Sequence, residues 1–345
     1  MECNEKDLLL LIALHRITFL TLAEKIILLK KLDSFNALAL MSIEDIISTC
    51  GRNISKAVWN GKENLRAAQK ELAIIQAKKI NYVTYLNPEY PALLREISDA
   101  PLLLFYRGNL NCLAGKTVSV VGTRKITAEA KKDSVKFAYD AVNAGYTVVS
   151  GLANGVDGAA HIGAVAAYYD SVEKSASLPE GKTAAVLPCG CDTVTPASHA
   201  RLAEQIIISG GCLISEYVPG TPAENWRFVQ RNRIIAALSP ATVVMQAPAG
   251  SGALITADFA LGYGRDVVFH KAAFSEMAAA VKKAVEKDLD AKLALGKVSK
   301  YKRENTPEKY LEAGAPVVND FQDFCRCIAE IPGTRSVNNE QLKLF

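Results

Sequence analysis

The stretch from Thr117 to His161 constrains this chain more than any other. It reads T-V-S-V-V-G-T-R-K, then a polar-apolar helical span, then Y-T-V-V-S-G-L-A-N-G-V-D-G-A-A-H. Val118 to Val121 and Thr147 to Val149 are short β-branched runs that stop at Gly122 and Gly151. Each has the pattern of a buried strand running into a glycine turn that opens a helix. Two in succession make a βαβ unit. Such turns aim backbone N–H groups and a helix N-terminus, equivalent to about half a positive charge, above the sheet edge, a place that suits phosphates. The crevice at the switch point of an open α/β sheet is therefore where a ligand is expected.

The alternation continues to Phe269. Thr183-A-A-V-L, Cys212-L-I-S, Ala241-T-V-V-M-Q and Asp266-V-V-F read as strands, with helices over 198–209, 227–238 and 251–261. Parallel neighbours need crossover helices, so the fold class is α/β: an extended Rossmann-like, doubly wound, mostly parallel sheet of about six or seven strands. Tyr169 to Gly181 is polar and small and reads as an exposed loop. Ile80 to Tyr90 reads as a turn-rich connector, and Pro101 to Gly108 as a short apolar strand. Ahead of it, residues 1–80 contain no convincing strand. Leu8 to Leu14, Leu22 to Leu32, Ser42 to Ser48 and Asn64 to Ala77 carry apolar residues at helical spacing, with N-caps at Ser42 and Asn64 and breaks at Gly51 and Gly61. The expected organisation is a small all-α N-terminal domain over 1–80, a Rossmann-like domain over 81–330, and a polar tail over 331–345.

Composition narrows the function. Lys and Arg number 40 against 36 for Asp and Glu, so no global basic field announces a nucleic-acid partner and any such binding must be local. From Gly115 to His270 the two signs balance at 13 each, whereas 282–303 holds eight basic residues against three acidic, a candidate electrostatic patch or a solvated helix face. The eight cysteines are scattered, and neither Cys189/Cys191 nor Cys325/Cys327 has the two-residue gap of a zinc knuckle. No metal is expected, and the thiols read as those of a cytoplasmic protein. The apolar run Leu8 to Leu14 is too short for a membrane span and follows an acidic start, unlike a signal peptide.

The loop ends carry the chemistry. A dinucleotide fingerprint needs G-x-G-x-x-G, but Gly122 stands alone in G-T-R-K-I-T, and no G-x-x-x-x-G-K-[ST] exists. NAD or FAD in the usual pose is disfavoured, and no cofactor is expected. After Thr123 comes Arg124, whose fork of donors suits bidentate phosphate contact. In the second loop Gly151, Gly155 and Gly158 allow close backbone approach beside Asn154, while Asp157 and His161 share one helical face. That pair reads either as an acid–base couple or as a helix cap with a turn-holding hydrogen bond. No nucleophile accompanies it, and no catalytic residue is assigned. Arg231-Asn232-Arg233 places two guanidiniums early in a helix, where the dipole disfavours cations; an anionic ligand or internal pairing with Glu216 or Glu224 explains them equally. Ser251-Gly252, followed by Thr256, opens the next helix at a phosphate-compatible N-terminus. Donors at four loop ends without a committed catalytic group favour holding a phosphate backbone over making bonds.

The succession V-V-G-T-R, S-G-L-A-N-G-V-D-G-A-A-H, L-I-S-E-Y-V-P-G-T-P, R-N-R-I-I-A-A-L-S, S-G-A-L-I-T-A, G-R-D-V-V-F and A-G-A-P-V-V resembles the DNA-processing protein A family (DprA, also called Smf). The resemblance implies a non-catalytic cytoplasmic protein that dimerises, binds single-stranded DNA in a basic pocket and hands it to the recombinase RecA during natural transformation or related recombination. It also implies that Arg124 is the main phosphate contact, with Arg231, Arg233 and the Gly151 to Asp157 loop lining the same pocket. Several positions depart from the family pattern: Asn154 and Gly250 stand where basic residues are usual, Thr195 where an aromatic is usual, and His270-Lys271 where proline-glycine is usual. Tyr217, Trp226 and Phe228 are candidate base-stacking platforms, worth roughly 1 to 3 kcal/mol per base, with Phe228 read instead as core. The tail residues Gln341, Leu342, Leu344 and Phe345 resemble the peptide by which bacterial proteins dock on the DNA polymerase sliding clamp. Two rival readings stand: a nucleotide-phosphate-binding enzyme of the lysine-decarboxylase-like Rossmann type, which Pro248-A-G-S-G-A fits poorly, and a dimeric scaffold that has lost DNA binding.

Overall fold

Capping residues set where the first helices begin in the structure, a computed structural model that describes residues 5–52 and 58–330. Helices α1 (Glu5–His15), α2 (Leu22–Lys31), α3 (Phe35–Leu40), α4 (Ile43–Cys50) and α5 (Gly61–Lys78) come in succession. Thr21 and Glu24 form a capping box on α2, and Ser42 and Asp45 repeat it on α4. Asn60, not Asn64, caps α5. Asn64 lies inside the helix and donates to the Ala13 carbonyl at 3.1 Å, tying α5 to α1. Gly61 is the first residue of α5, not a break, and an added Cβ there would run into the Ala39 backbone.

The chain then runs through β1 (Asn81–Thr84), α6 (Ala92–Arg95), β2 (Leu103–Gly108), β3 (Thr117–Gly122), α7 (Ala128–Asn143), β4 (Thr147–Ser150), α8 (Val156–Glu173), β5 (Thr183–Val186), α9 (Ala200–Ile208) and β6 (Cys212–Ser215). It continues through α10 (Asn225–Ala237), β7 (Ala241–Gln246), α11 (Gly252–Gly262), β8 (Asp266–His270), α12 (Glu276–Ala294), α13 (Lys300–Glu304), α14 (Pro307–Glu312), β9 (Val317–Val318) and α15 (Phe321–Glu330). Among the described residues these strands form one nine-stranded sheet in the order β1-β2-β6-β5-β4-β3-β7-β8-β9, antiparallel only at β1/β2 and β2/β6. The sheet is Rossmann-like and mostly parallel, as the alternation requires. It is wider than expected because the stretch after Ile80 pairs as an edge strand, Tyr82 opposite Phe105, rather than serving as a connector. α8 also runs five residues into the segment read as a loop.

Both faces of the central strands are buried, which is why they read as unbroken apolar runs. On one face Val118, Val120, Val148 and Val243 meet Phe137 of α7 and Phe321 and Phe324 of α15. On the other, Val121, Val149, Val186 and Val244 meet Ile234 and Ile235 of α10 and Leu254 of α11. The N-terminal helices join this body directly: Leu11, Leu14, Leu28 and Leu38 share a core with Leu103 and Phe105 of β2. Among the described residues no helix is long and apolar enough to cross a membrane.

The strand order turns about β3, which pairs with β4 on one side and with β7 on the other. The switch point therefore lies between β3 and β7.

Candidate nucleic-acid interface

At the carboxyl ends of β3 and β7 the chains part to leave a cleft of about 520 Å³. The loops around it are locked backbone to backbone. The Thr123 N–H donates to the Gln246 carbonyl at 2.7 Å, and the Val156 N–H donates to the Thr123 carbonyl at 3.2 Å. Gly155, at φ +86°, presses on this turn so closely that a Cβ would stand 2.7 Å from the Arg124 Cα. Gly122 makes room for Val156, since a Cβ there would stand 2.7 Å from the Val156 Cβ. The glycine thus serves helix packing, not approach to a pyrophosphate.

This fixed turn presents Arg124 to solvent. Its guanidinium lies 4.7 Å from the centre of the Phe228 ring. Among the described residues no carboxylate comes within ion-pair distance of it. Phe228 is partly exposed beneath it, so the expectation of a core residue gives way to that of a cleft wall: it holds the guanidinium extended while leaving its hydrogen-bond donors unused.

Arg231 is a different kind of residue. It is 2% exposed and donates to the carbonyls of Gly151 (2.7 Å) and Val186. Burial pulls its pKa down to about 10, with Asp157 opposing that shift. Asp157 is itself buried; burial pushes its carboxyl up, and Arg231, the Ala153 N–H and Ser150 pull it back. Gly151 leaves the space these two side chains occupy, since a Cβ would stand 2.6 Å from both terminal Arg231 guanidinium nitrogens and from an Asp157 oxygen. Asp157 is thus the floor of the cleft, and α8 has no side-chain cap. His161 forms no couple with it. It is fully buried, its Nδ1 lies 2.7 Å from Thr183 Oγ1, and burial holds its pKa near 3. The hydrogen bond reaches strand β5 and does not hold the turn.

Arg233 leaves the cleft altogether. It pairs with Glu216 and with Asp99 (3.4 Å) in a second cleft on the other side of α10. Residues 231 and 233 are two positions apart on a helix of 3.6 residues per turn, so one pocket cannot take both. Of the remaining expected residues, Asn232 lines the first cleft and donates to the Gly252 carbonyl at 3.2 Å, Ser251 caps α11, and Thr256 is buried against the Gly252 carbonyl. Asn154 is exposed beside the cleft without lining it.

Two contributors were not found by reasoning from loop ends. Lys292 and Lys302, from α12 and α13, close the cleft from above. Lys302 lies against Gly250, its Cγ 2.8 Å from where a Cβ would stand, so its side chain fills space that any larger residue at 250 would need. Lys292 pairs with Asp288 at 2.6 Å; among the described residues Lys302 has no ion pair. The basic run over 282–303 was the signal, half-neutralised by Glu286, Asp288, Asp290 and Glu308. The cleft lining holds four cations (Arg124, Arg231, Lys292, Lys302) against two carboxylates (Asp157, Asp288), a surplus of two. Among the described residues no cluster of ligands fit for a metal ion is found.

Fold and cleft together define an extended Rossmann-type protein whose switch-point crevice offers positive charge without a dinucleotide loop. The model of the family described as DNA recombination-mediator protein A matches residues 81–302, and the chain belongs to that family. It is similar to the protein Smf of Synechocystis, 40% identical over 196 residues, which is 56% of this chain and 46% of that protein. The chain thus spans about half the length of that relative. The X-ray structure of DNA processing protein A from Streptococcus pneumoniae superposes with a TM-score of 0.65 at 27% identity, covering 96% of this chain and all of that one. DNA processing protein A from Helicobacter pylori, whose structure is described for its single-stranded DNA binding mode, shares the fold at 23% identity and a TM-score of 0.53, covering 72% and 96%.

Proposed function

We propose that the chain holds single-stranded DNA by its sugar-phosphate backbone in the switch-point cleft, leaves it uncut, and delivers it to the RecA recombinase, acting as a homodimer in the cytoplasm. The observation that carries this reading is Arg124: an exposed guanidinium without a carboxylate partner among the described residues, braced on Phe228 and set on a turn locked by backbone bonds to Gln246 and Val156. Lys302 adds a second uncommitted cation beside Gly250, where the family pattern has a basic residue. A shared fold with a protein known for binding single strands supports the same ligand. The reading as a non-cutting protein rests on Asp157 and His161, the groups nearest to an acid–base set, which are buried and engaged elsewhere. The tail residues Gln341, Leu342, Leu344 and Phe345 lie outside the described residues, and we retain for them the role of a sliding-clamp peptide.

The test is fluorescence anisotropy with labelled single- and double-stranded oligonucleotides between 50 and 200 mM salt, roughly the range over which phosphate contacts dominate. Arg124→Ala and Lys302→Ala should each weaken single-strand binding and flatten the plot of log K against log salt by about 0.7, the contribution of one phosphate contact. An unchanged slope in Arg124→Ala removes that residue from the site. No binding of either oligonucleotide at the lower salt returns the chain to the scaffold reading.

A further inference from the structure

Helix α10 has two working faces. Asn225, Phe228, Val229 and Asn232, at helical spacing, line the first cleft; Trp226, Arg227, Gln230 and Arg233 line a second one of about 670 Å³, between the sheet edge and the N-terminal helices. The two clefts differ in charge. In the second, every arginine is already matched: Arg16 with Glu71, Arg227 with Glu224, and Arg233 with Glu216 and Asp99. Lys25 donates to the His15 carbonyl at 3.1 Å. Such a lining repels a polyanion no more than it attracts one.

It does offer hydrogen bonds. Among the described residues, buried side-chain atoms without a partner gather here: His15 Nδ1, Glu71 Oε2, Glu216 Oε1, Arg227 Nε and Arg233 Nη1 all belong to residues of this lining. Glu216 and Arg233 are 7% exposed each, so bulk water does not reach them freely. Buried polar groups are satisfied in stable proteins, so acceptors and donors held side by side in a roomy cleft point to a ligand that carries both. At the mouth stands Trp226, 53% exposed, edge-on to Tyr217 with ring centres 6.4 Å apart and with the Arg227 guanidinium 4.7 Å from its ring. An exposed indole above paired donors and acceptors is what a flat, uncharged heterocycle recognises.

We propose that this second cleft takes a nucleobase, so that α10 divides one ligand between its faces, phosphates on the Arg124 side and a base on the Trp226 side. The helix is about 10–12 Å across with its side chains, a width that a few extended nucleotides cross. This inference rests on the single-strand reading above for its strand-bound form, while free nucleosides offer the same base without a backbone.

The sequence has two tryptophans, and Trp59 is anchored by its Nε1 on the Met41 carbonyl at 2.9 Å. In a Trp59→Phe background the intrinsic fluorescence therefore reports Trp226. That protein is titrated with an oligodeoxynucleotide, with an abasic oligomer of equal length, and with free deoxynucleosides. Quenching by the oligonucleotide but not by the abasic strand is expected. With the wild-type chain as reference, Trp226→Ala should weaken oligonucleotide binding about 5- to 150-fold, the worth of one stacked base, and leave the salt slope unchanged. Trp226→Tyr should restore most of the loss. Quenching by nucleosides alone supports a base site that works without the strand. An oligonucleotide that binds with a slope sensitive to Arg124→Ala, while Trp226 stays silent to every ligand and Trp226→Ala binds like the wild type, overturns this inference and leaves the backbone reading standing.

Discussion

Lowering the pH should weaken this protein through His161, and the size of the effect follows from its surroundings. The imidazole is 0% exposed, donates from Nδ1 to a Thr183 hydroxyl that itself donates to the Val148 carbonyl, and has His199 and Arg231 as its positive or potentially positive neighbours. Burial above all, then these two groups, hold its pKa near 3. An unfolded histidine titrates near 6.5. The unfolded chain therefore takes up the proton first, so stability is fully present above about pH 6.5 and declines as pH falls toward 3. At pH 5 the unfolded form gains a factor of about 32, which is about 2 kcal/mol from one side chain. That is a large share of the roughly 5–15 kcal/mol that keeps a domain folded. Asp157 and Glu216, whose carboxyls burial pushes up, act in the opposite sense as pH falls, so the raw profile mixes contributions. His161→Asn keeps a donor near the Nδ1 position and does not titrate. Guanidinium unfolding of both proteins at about pH 7 and about pH 5, followed by circular dichroism, should show the wild type losing about 2 kcal/mol more than the variant. Equal losses would refute a neutral imidazole sealed against strand β5.

Gly151→Ala should separate Arg231 from Asp157, whose atoms stand 2.6 Å from the new methyl position. Overpacking of this kind costs about 1–3 kcal/mol, visible in chemical unfolding; a change well under about 1 kcal/mol would mean the two side chains move aside freely. Removing the last five residues should abolish binding to the DNA polymerase sliding clamp in calorimetry without altering affinity for single strands. Equal clamp affinity ends that role for the tail.

The inner strands were legible because each is a short, mostly apolar run buried on both faces and bounded by turn residues or helices. β1 was not: it carries Asn81 and Thr84 in four residues, so its pairing is dictated by the neighbouring strand and not by its own composition, whereas the two valines of β9 read as strand-like. At the cleft, Arg124 could be placed because it directly follows a strand-ending turn. Arg231 and Arg233 were grouped by adjacency, although the 100° turn per residue in a helix separates their directions by about 200°. That rule alone would have parted them. Lys302 belongs to the basic run over 282–303, but nothing in that run sets it at the cleft, since what places it is the fold of α12 and α13 back over Gly250, some fifty positions earlier in the chain. Phe228 reads as core because interior packing is the ordinary fate of an aromatic side chain, whereas it lies partly exposed against the Arg124 guanidinium.

Leu103 and Phe105 belong to the helices and to the sheet at once. A cut near residue 80 would therefore bare a greasy strip along strand β2 rather than release a self-sufficient half, and such a strip seeks other chains. Heat or denaturant that loosens the front of the molecule must also loosen strand β2, which borders the partner-matched arginines behind α10. Whatever grips the N-terminal helices consequently has a mechanical handle on the second cleft, with no linker in between to absorb the pull.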